Sequence, residues 1–229
     1  MDTVEKEEKD AAWGYNEKGE PRWPAALAVI FAVFLYISLP GRFISGPIWL
    51  LPALQAAFLI PLFISAPRRH AKEQKWQRFI AILLIAVINV YNLFSLSILI
   101  DVLTHPHKFH ALTGEQLLIT AAQIWFTNVI VFGLWYWELD RGGPAGRSKN
   151  HHRYPDFLFP QMVTPEATTP HWCPKFIDYF YVSFTNATAF SPTDTLPLTH
   201  WAKILMIIQS LASLVTVALV AARAVNVLS

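Results

Sequence analysis

Apolar residues fall into five long blocks, 23–39, 47–66, 79–103, 117–137 and 202–227, separated by polar segments. Each is close to the ~20 residues that a helix needs to cross a hydrocarbon core ~30 Å thick. A sixth block, 174–189, is too short for that: as a helix rising ~1.5 Å per residue it reaches roughly 24 Å. It runs into the polar turn Phe190-Ser191-Pro192-Thr193-Asp194-Thr195 before the last long block begins. Such a segment enters the membrane and returns to the side it came from. Irregular backbone at that depth persists only where protein or a water-filled cavity satisfies its N–H and C=O groups, so something is built around the turn. The pattern predicts an all-α membrane protein with five transmembrane helices plus one re-entrant half-helix before the last.

The segments divide the chain into a polar tail (1–22), three transmembrane helices (23–103), and a module of helix, hydrophilic loop, half-helix, turn and final helix (104–229). Leu39-Pro40-Gly41 ends the first helix, and the short loop that follows makes the first two an antiparallel hairpin. Pro52 and Pro61 predict kinks in the second. Polar residues share one face in three helices: Asn89 and Asn92; Thr120, Gln123 and Thr127; Gln209, Ser213 and Thr216. These stripes admit two readings, hydrogen-bonded glue between helices or the lining of a water-filled path. Trp135-Tyr136-Trp137 reads as an interfacial anchor. Asp101, Glu138 and Asp140 sit at helix ends, where snorkelling to the interface explains them. Arg223 either reaches an interface or pairs with a carboxylate such as Asp101.

Composition agrees: of 229 residues, 54% are hydrophobic and 15% charged, which suits a multi-pass membrane protein better than a soluble domain. No cleavable signal peptide is expected, because the first apolar block is followed by Pro40 and Arg42. With the N-terminus in the cytoplasm, fifteen of the eighteen Lys and Arg residues fall on the cytoplasmic side, and only Arg42, Lys108 and Arg223 fall outside. That bias predicts the N-terminus inside and the re-entrant turn opening from the cytoplasm. The net charge of +2 gives no basis for nucleic-acid binding. Cys173 is the only cysteine, so no intrachain disulfide forms.

In the half-helix, Pro174 suits the first turn and Asp178 the positive helix end. The partly negative end then points toward Thr188 and the turn, where it stabilises a cation in low dielectric. Ser191, Thr193 and Thr195 add hydroxyl oxygens, and Asp194 adds a carboxylate of the kind that forms cation-attracting rings around an axis.

Tyr179-Phe180-Tyr181-Val182-Ser183-Phe184-Thr185-Asn186-Ala187-Thr188-Ala189-Phe190 resembles the pore helix of tetrameric potassium-channel-like proteins, and Asp194-Thr195-Leu196-Pro197 resembles the Asp-x-x-Pro after their filter. In that register the family's Thr-Val-Gly-Tyr-Gly falls on Ala189-Phe190-Ser191-Pro192-Thr193. Neither glycine is kept, so the resemblance implies a filter of non-standard type. Potassium channels open this loop to the outside, whereas ionotropic glutamate receptors carry it inverted, as the charge count requires here. A second resemblance covers more of the chain. The Leu39-Pro40 break, Trp135-Tyr136, Gly142-Gly143, Pro155-Asp156-Phe157, Ser183-Phe184-Thr185 and Thr193-Asp194 resemble an uncharacterised bacterial family of small multi-pass membrane proteins, a domain of unknown function. It implies a bacterial inner-membrane location and no particular activity.

The expected function is that of an oligomeric, pore-loop cation-channel-like protein. Its copies would form a homo-oligomer in the lipid bilayer, with a tetramer the simplest guess. Thr188, Ala189, Phe190, Ser191, Pro192, Thr193 and Asp194 would line the narrow part for monovalent cations, and Gln209, Ser213 and Thr216 the cavity. The alternatives are a non-conducting scaffold or small solute transporter, and a membrane metal-binding protein using His151, His152, His171 and Cys173, with Asp156 in the same segment. His105, His107 and His110 form a second group, either an ordinary loop or a pH sensor. Nothing pairs a nucleophile with an oriented base, so neither an enzyme nor a cofactor is expected.

Overall fold

The computed structural model describes residues 20–44, 47, 49, 52–53, 56, 75–105, 113–147, 154–169, 172–188 and 194–228. Five helices carry the architecture: α1 (Trp23–Ile37), α2 (Lys75–Thr104), α3 (Gly114–Leu139), α4 (Phe176–Thr188) and α5 (His200–Leu228). Among the described residues three stretches are long and apolar enough to cross a membrane: Arg78–Thr104 in α2, Gly114–Arg147 through α3, and His200–Ala222 in α5. The expected count of five is therefore met by three. α1 has only 15 residues, and the block 47–66 lies, but for a few positions, outside the described residues.

Local chemistry sets the ends. α1 stops where Pro40 cannot continue it, with Ser38 Oγ donating back to the Leu35 carbonyl at 2.8 Å. α3 begins ahead of its apolar block because Thr113 and Gln116 form a capping box: Thr113 Oγ1 accepts from the Gln116 amide at 3.2 Å, and Gln116 Oε1 from the Thr113 amide at 3.1 Å. α4 begins two residues later than expected. Asp178 Oδ2 accepts from the Lys175 amide at 2.7 Å, which fixes the start at Phe176 and leaves Pro174 outside the first turn.

Helix directions follow from what each end touches. Glu20, just before α1, bonds Trp137 and Arg147 near the end of α3. Arg78, near the start of α2, lies 3.8 Å from Glu138. Phe176 meets Trp137 edge-on at 6.0 Å, and Ala202 joins the same core cluster. So α1, α2, α4 and α5 all start at the end of the bundle where α3 finishes. A second core cluster, with Tyr36, Leu39, Phe43, Leu99 and Leu117, fills the opposite end.

α3 is the central helix and packs against the other four. Residues 127–134 of it are buried on every side. Gly133 lets α4 come close, since a Cβ there would lie 3.2 Å from Phe180 Cα. Two-residue strands β1 (Phe157–Leu158) and β2 (Leu196–Pro197) pair antiparallel, Phe157 opposite Pro197, and tie the segments before α4 and before α5 together.

Candidate functional site

α4 lies between α3 and α5, antiparallel to α3. Tyr179 reaches Asp140, Ser183 Oγ donates to the Val129 carbonyl at 2.6 Å, and Phe184 meets Trp125 edge-on at 5.8 Å. At the inner end of α4, Asn186 Nδ2 donates to the Met206 carbonyl at 3.0 Å and to Gln209 Oε1 at 2.8 Å. Those two residues lie roughly 9–14 Å along α5 from its start at ~1.5 Å per residue. β2 then brings the chain back to β1, beside Asp156.

The last four carbonyls of a helix have no partner inside it. Here the Thr185 carbonyl accepts from Thr188 Oγ1 at 2.9 Å, and the Asn186 carbonyl from Ser210 Oγ at 3.4 Å. Around them Gln209, fully buried, joins three helices. Its Oε1 accepts from Tyr136 Oη at 2.5 Å as well as from Asn186, and its Nε2 donates to the Ser183 carbonyl at 2.8 Å and to Ser183 Oγ at 2.6 Å. One step deeper, Asn128 Nδ2 donates to Ser213 Oγ at 2.9 Å.

The outer end of α4 rests on a charged corner made where α3 finishes. Asp140, fully buried, accepts from Tyr179 Oη at 2.5 Å and Arg141 Nε at 3.2 Å through Oδ2, and from the Asp156 amide at 2.8 Å through Oδ1. Arg147 donates from Nε and Nη2 to the two oxygens of Glu20 at 2.6 and 2.9 Å, and from Nη1 to the Trp137 and Asp140 carbonyls at 2.7 and 2.9 Å. Its guanidinium carbon lies 5.0 Å from the centre of the Tyr179 ring. The bend needs Gly142 and Gly143, at φ 85° and 81°. A Cβ on Gly143 would also lie 2.9 Å from the Glu138 carbonyl.

Thr188 is the last residue of α4, and Asp194 is exposed just before β2. Ala189, Phe190, Ser191, Pro192 and Thr193 lie outside the described residues, as do His107, His110, His151, His152 and His171. Gln209, Ser213 and Thr216 face into the bundle. Thr216 Oγ1 donates to the Ala212 carbonyl within α5, and Gln209 and Ser213 carry the interhelical bonds given above. Among the described residues no three His, Cys, Asp or Glu side chains come together as metal ligands would. Burial, with the Glu20 carboxylate adding to it, pushes the Cys173 thiol up, which keeps it protonated at neutral pH. His105 pairs with Asp101 at 2.9 Å.

Two expectations are overturned. Glu138 and Asp140 do not snorkel: they are 2% and 0% exposed and held in the corner. Tyr136 and Trp137 are not an interfacial belt, being buried with their polar atoms on Gln209 and on Glu20, the latter at 2.8 Å. The tail boundary also moves, because Glu20 is pinned. The local cue for the corner was present in Glu138, Asp140, Arg141 and Arg147 around a Gly-Gly-Pro bend.

No protein-family model matches the chain, and no curated protein or solved structure matches it either.

Proposed function

We propose that the chain is a pore-loop membrane protein, with α3 as outer helix, α4 as re-entrant half-helix and α5 as inner helix. Copies would assemble so that the turn 189–193 and Asp194 line a path for cations. The carrying observation is the course of α4: its first residue packs at the end where α3 finishes, its inner end bonds Met206 and Gln209 in the first third of α5, and β2 returns to the same end. The negative end of a half-helix held at that depth stabilises a cation, and the turn after it needs protein around it, which neighbouring copies supply. α1 and α2 run in the same direction, so the chain between Ile37 and Lys75 has to cover the length of the bundle once more. In this reading the apolar block 47–66 and α1 are the fourth and fifth crossings. The bacterial inner membrane, with the N-terminus inside, is the location the charge bias supports.

Because Gln209, Ser213 and Thr216 are taken up inside each subunit, the face α5 can offer to an axis is apolar, with Ile204, Ile207, Leu211 and Leu214 exposed. Cation flux into liposomes holding the purified protein is the test. Flux is expected from the native chain, and Asp194→Asn, which removes the carboxylate at the mouth, is expected to lower it about tenfold. An oligomer that carries no cations would overturn the proposal. The hydrogen bonds that Gln209 makes to Tyr136, Ser183 and Asn186 inside one chain favour one second reading, a non-conducting scaffold in which α4 is a plug, and that result would support it.

A further inference from the structure

Arg147 stands between two carboxylates. Glu20 takes its Nε and Nη2, while Nη1, bonded to two carbonyls, lies 3.9 Å from Asp140 Oδ2. The side chains of Arg147, Glu20 and Asp140 are 1%, 2% and 0% exposed, so in the packed state each charge depends on protein partners. Asp140 Oδ2 is also the atom that holds Tyr179, the outer anchor of the half-helix, and Asp140 Oδ1 holds the Asp156 amide beside β1. If Glu20 leaves, Arg147 keeps a buried charge with two donors unpaired, and the nearest carboxylate is Asp140. Asp140 Oδ2 already accepts from Arg141 Nε at 3.2 Å as well as from Tyr179, so a second guanidinium drawn onto it competes with the phenol for the same oxygen.

We propose that Glu20 is a latch on the half-helix: by occupying Arg147 it leaves Asp140 to Tyr179, and its withdrawal pulls Arg147 onto Asp140 and unseats α4. Glu20 is a positioning residue that acts through Arg147 and Asp140. It is also the point at which the segment before α1 joins the bundle, so whatever moves that segment away from the corner releases α4. Trp137, whose Nε1 donates to Glu20 Oε2 at 2.8 Å, steadies the latched state.

Hydrogen–deuterium exchange of the full-length protein in nanodiscs tests this, and its readout does not depend on ion conduction. Glu20→Gln is expected to speed exchange about tenfold in α4 and around β1, and to leave residues 88–99 of α2 unchanged. In a Tyr179→Phe background, where the contested bond is already gone, Glu20→Gln is expected to add less than about twofold, the non-additivity of groups acting through one contact. Should Glu20→Gln fail to fold, Trp137→Phe removes one of the three bonds to Glu20 and is expected to give a smaller rise confined to the same segments. Exchange that rises equally in every helix, or effects of Glu20→Gln and Tyr179→Phe that multiply independently, would overturn the latch.

Discussion

Arg147→Met is expected to destabilise the protein by about 3–5 kcal/mol, the loss found when one partner of a buried ion pair is removed. Methionine keeps most of the volume, so the cost is chemical. Glu20 and Asp140 remain buried without their shared cation, the Trp137 and Asp140 carbonyls lose a donor, and the Tyr179 ring loses the guanidinium above it. Lysine does not replace arginine here. Four hydrogen bonds leave one planar fork in several directions, and an ammonium on a flexible stem cannot reproduce them. Thermal unfolding in detergent, followed by tryptophan fluorescence, measures the effect; a drop of roughly 10 °C or more is expected for a chain of this size. Adding Glu20→Gln to Arg147→Met is expected to recover part of the loss, because it neutralises the carboxylate that Arg147 held, while Asp140 keeps Arg141. A midpoint equal to that of the native protein would show that the corner is not a buried ion network.

Gln209→Leu carries the second large effect, about 2–3 kcal/mol. Interhelical hydrogen bonds in membranes average ~0.6 kcal/mol each, and the Gln209 amide makes four, joining α3, α4 and α5. Leucine fits the space but leaves Tyr136 Oη and the Ser183 carbonyl without their strongest partner. Ser213→Ala breaks one bond, to Asn128, and is expected to cost less than about 1 kcal/mol. The same unfolding measurement separates the two readings of the polar stripe. If Gln209→Leu and Ser213→Ala have equal and negligible costs, the stripe is not glue and its burial has another reason.

The long helices were legible because an unbroken apolar block of spanning length is stable in few settings besides a bilayer. The offsets at their ends come from caps that hydropathy does not see, Thr113 with Gln116 and Asp178 with Lys175. That α4 is a short helix was legible from the length of its apolar block. The corner was not. Glu138 and Asp140 sit near a helix end, where snorkelling accounts for a carboxylate at little cost, and only the arrival of Glu20, Asp156 and Tyr179 from distant parts of the chain buries them. The same holds for Tyr136, whose place in an aromatic triplet suggested an interface until Gln209 met it from the last helix. Non-local pairing decides what a polar residue near a membrane face does. The stripe of Gln209, Ser213 and Thr216 was visible as a stripe, but whether it faced water or other helices depended on partners in α3 and α4.

The re-entrant course of α4 is tested most directly by the sidedness of its flanks. Lys175 and Lys203 are both exposed, one just before α4 and the other near the start of α5. In a Cys173→Ser background, Lys175→Cys and Lys203→Cys are expected to react with a membrane-impermeant maleimide from the same side, both in inverted vesicles and neither in whole cells. Labelling of the two from opposite sides would mean that α4 passes through the bilayer, and the pore-loop architecture would be wrong.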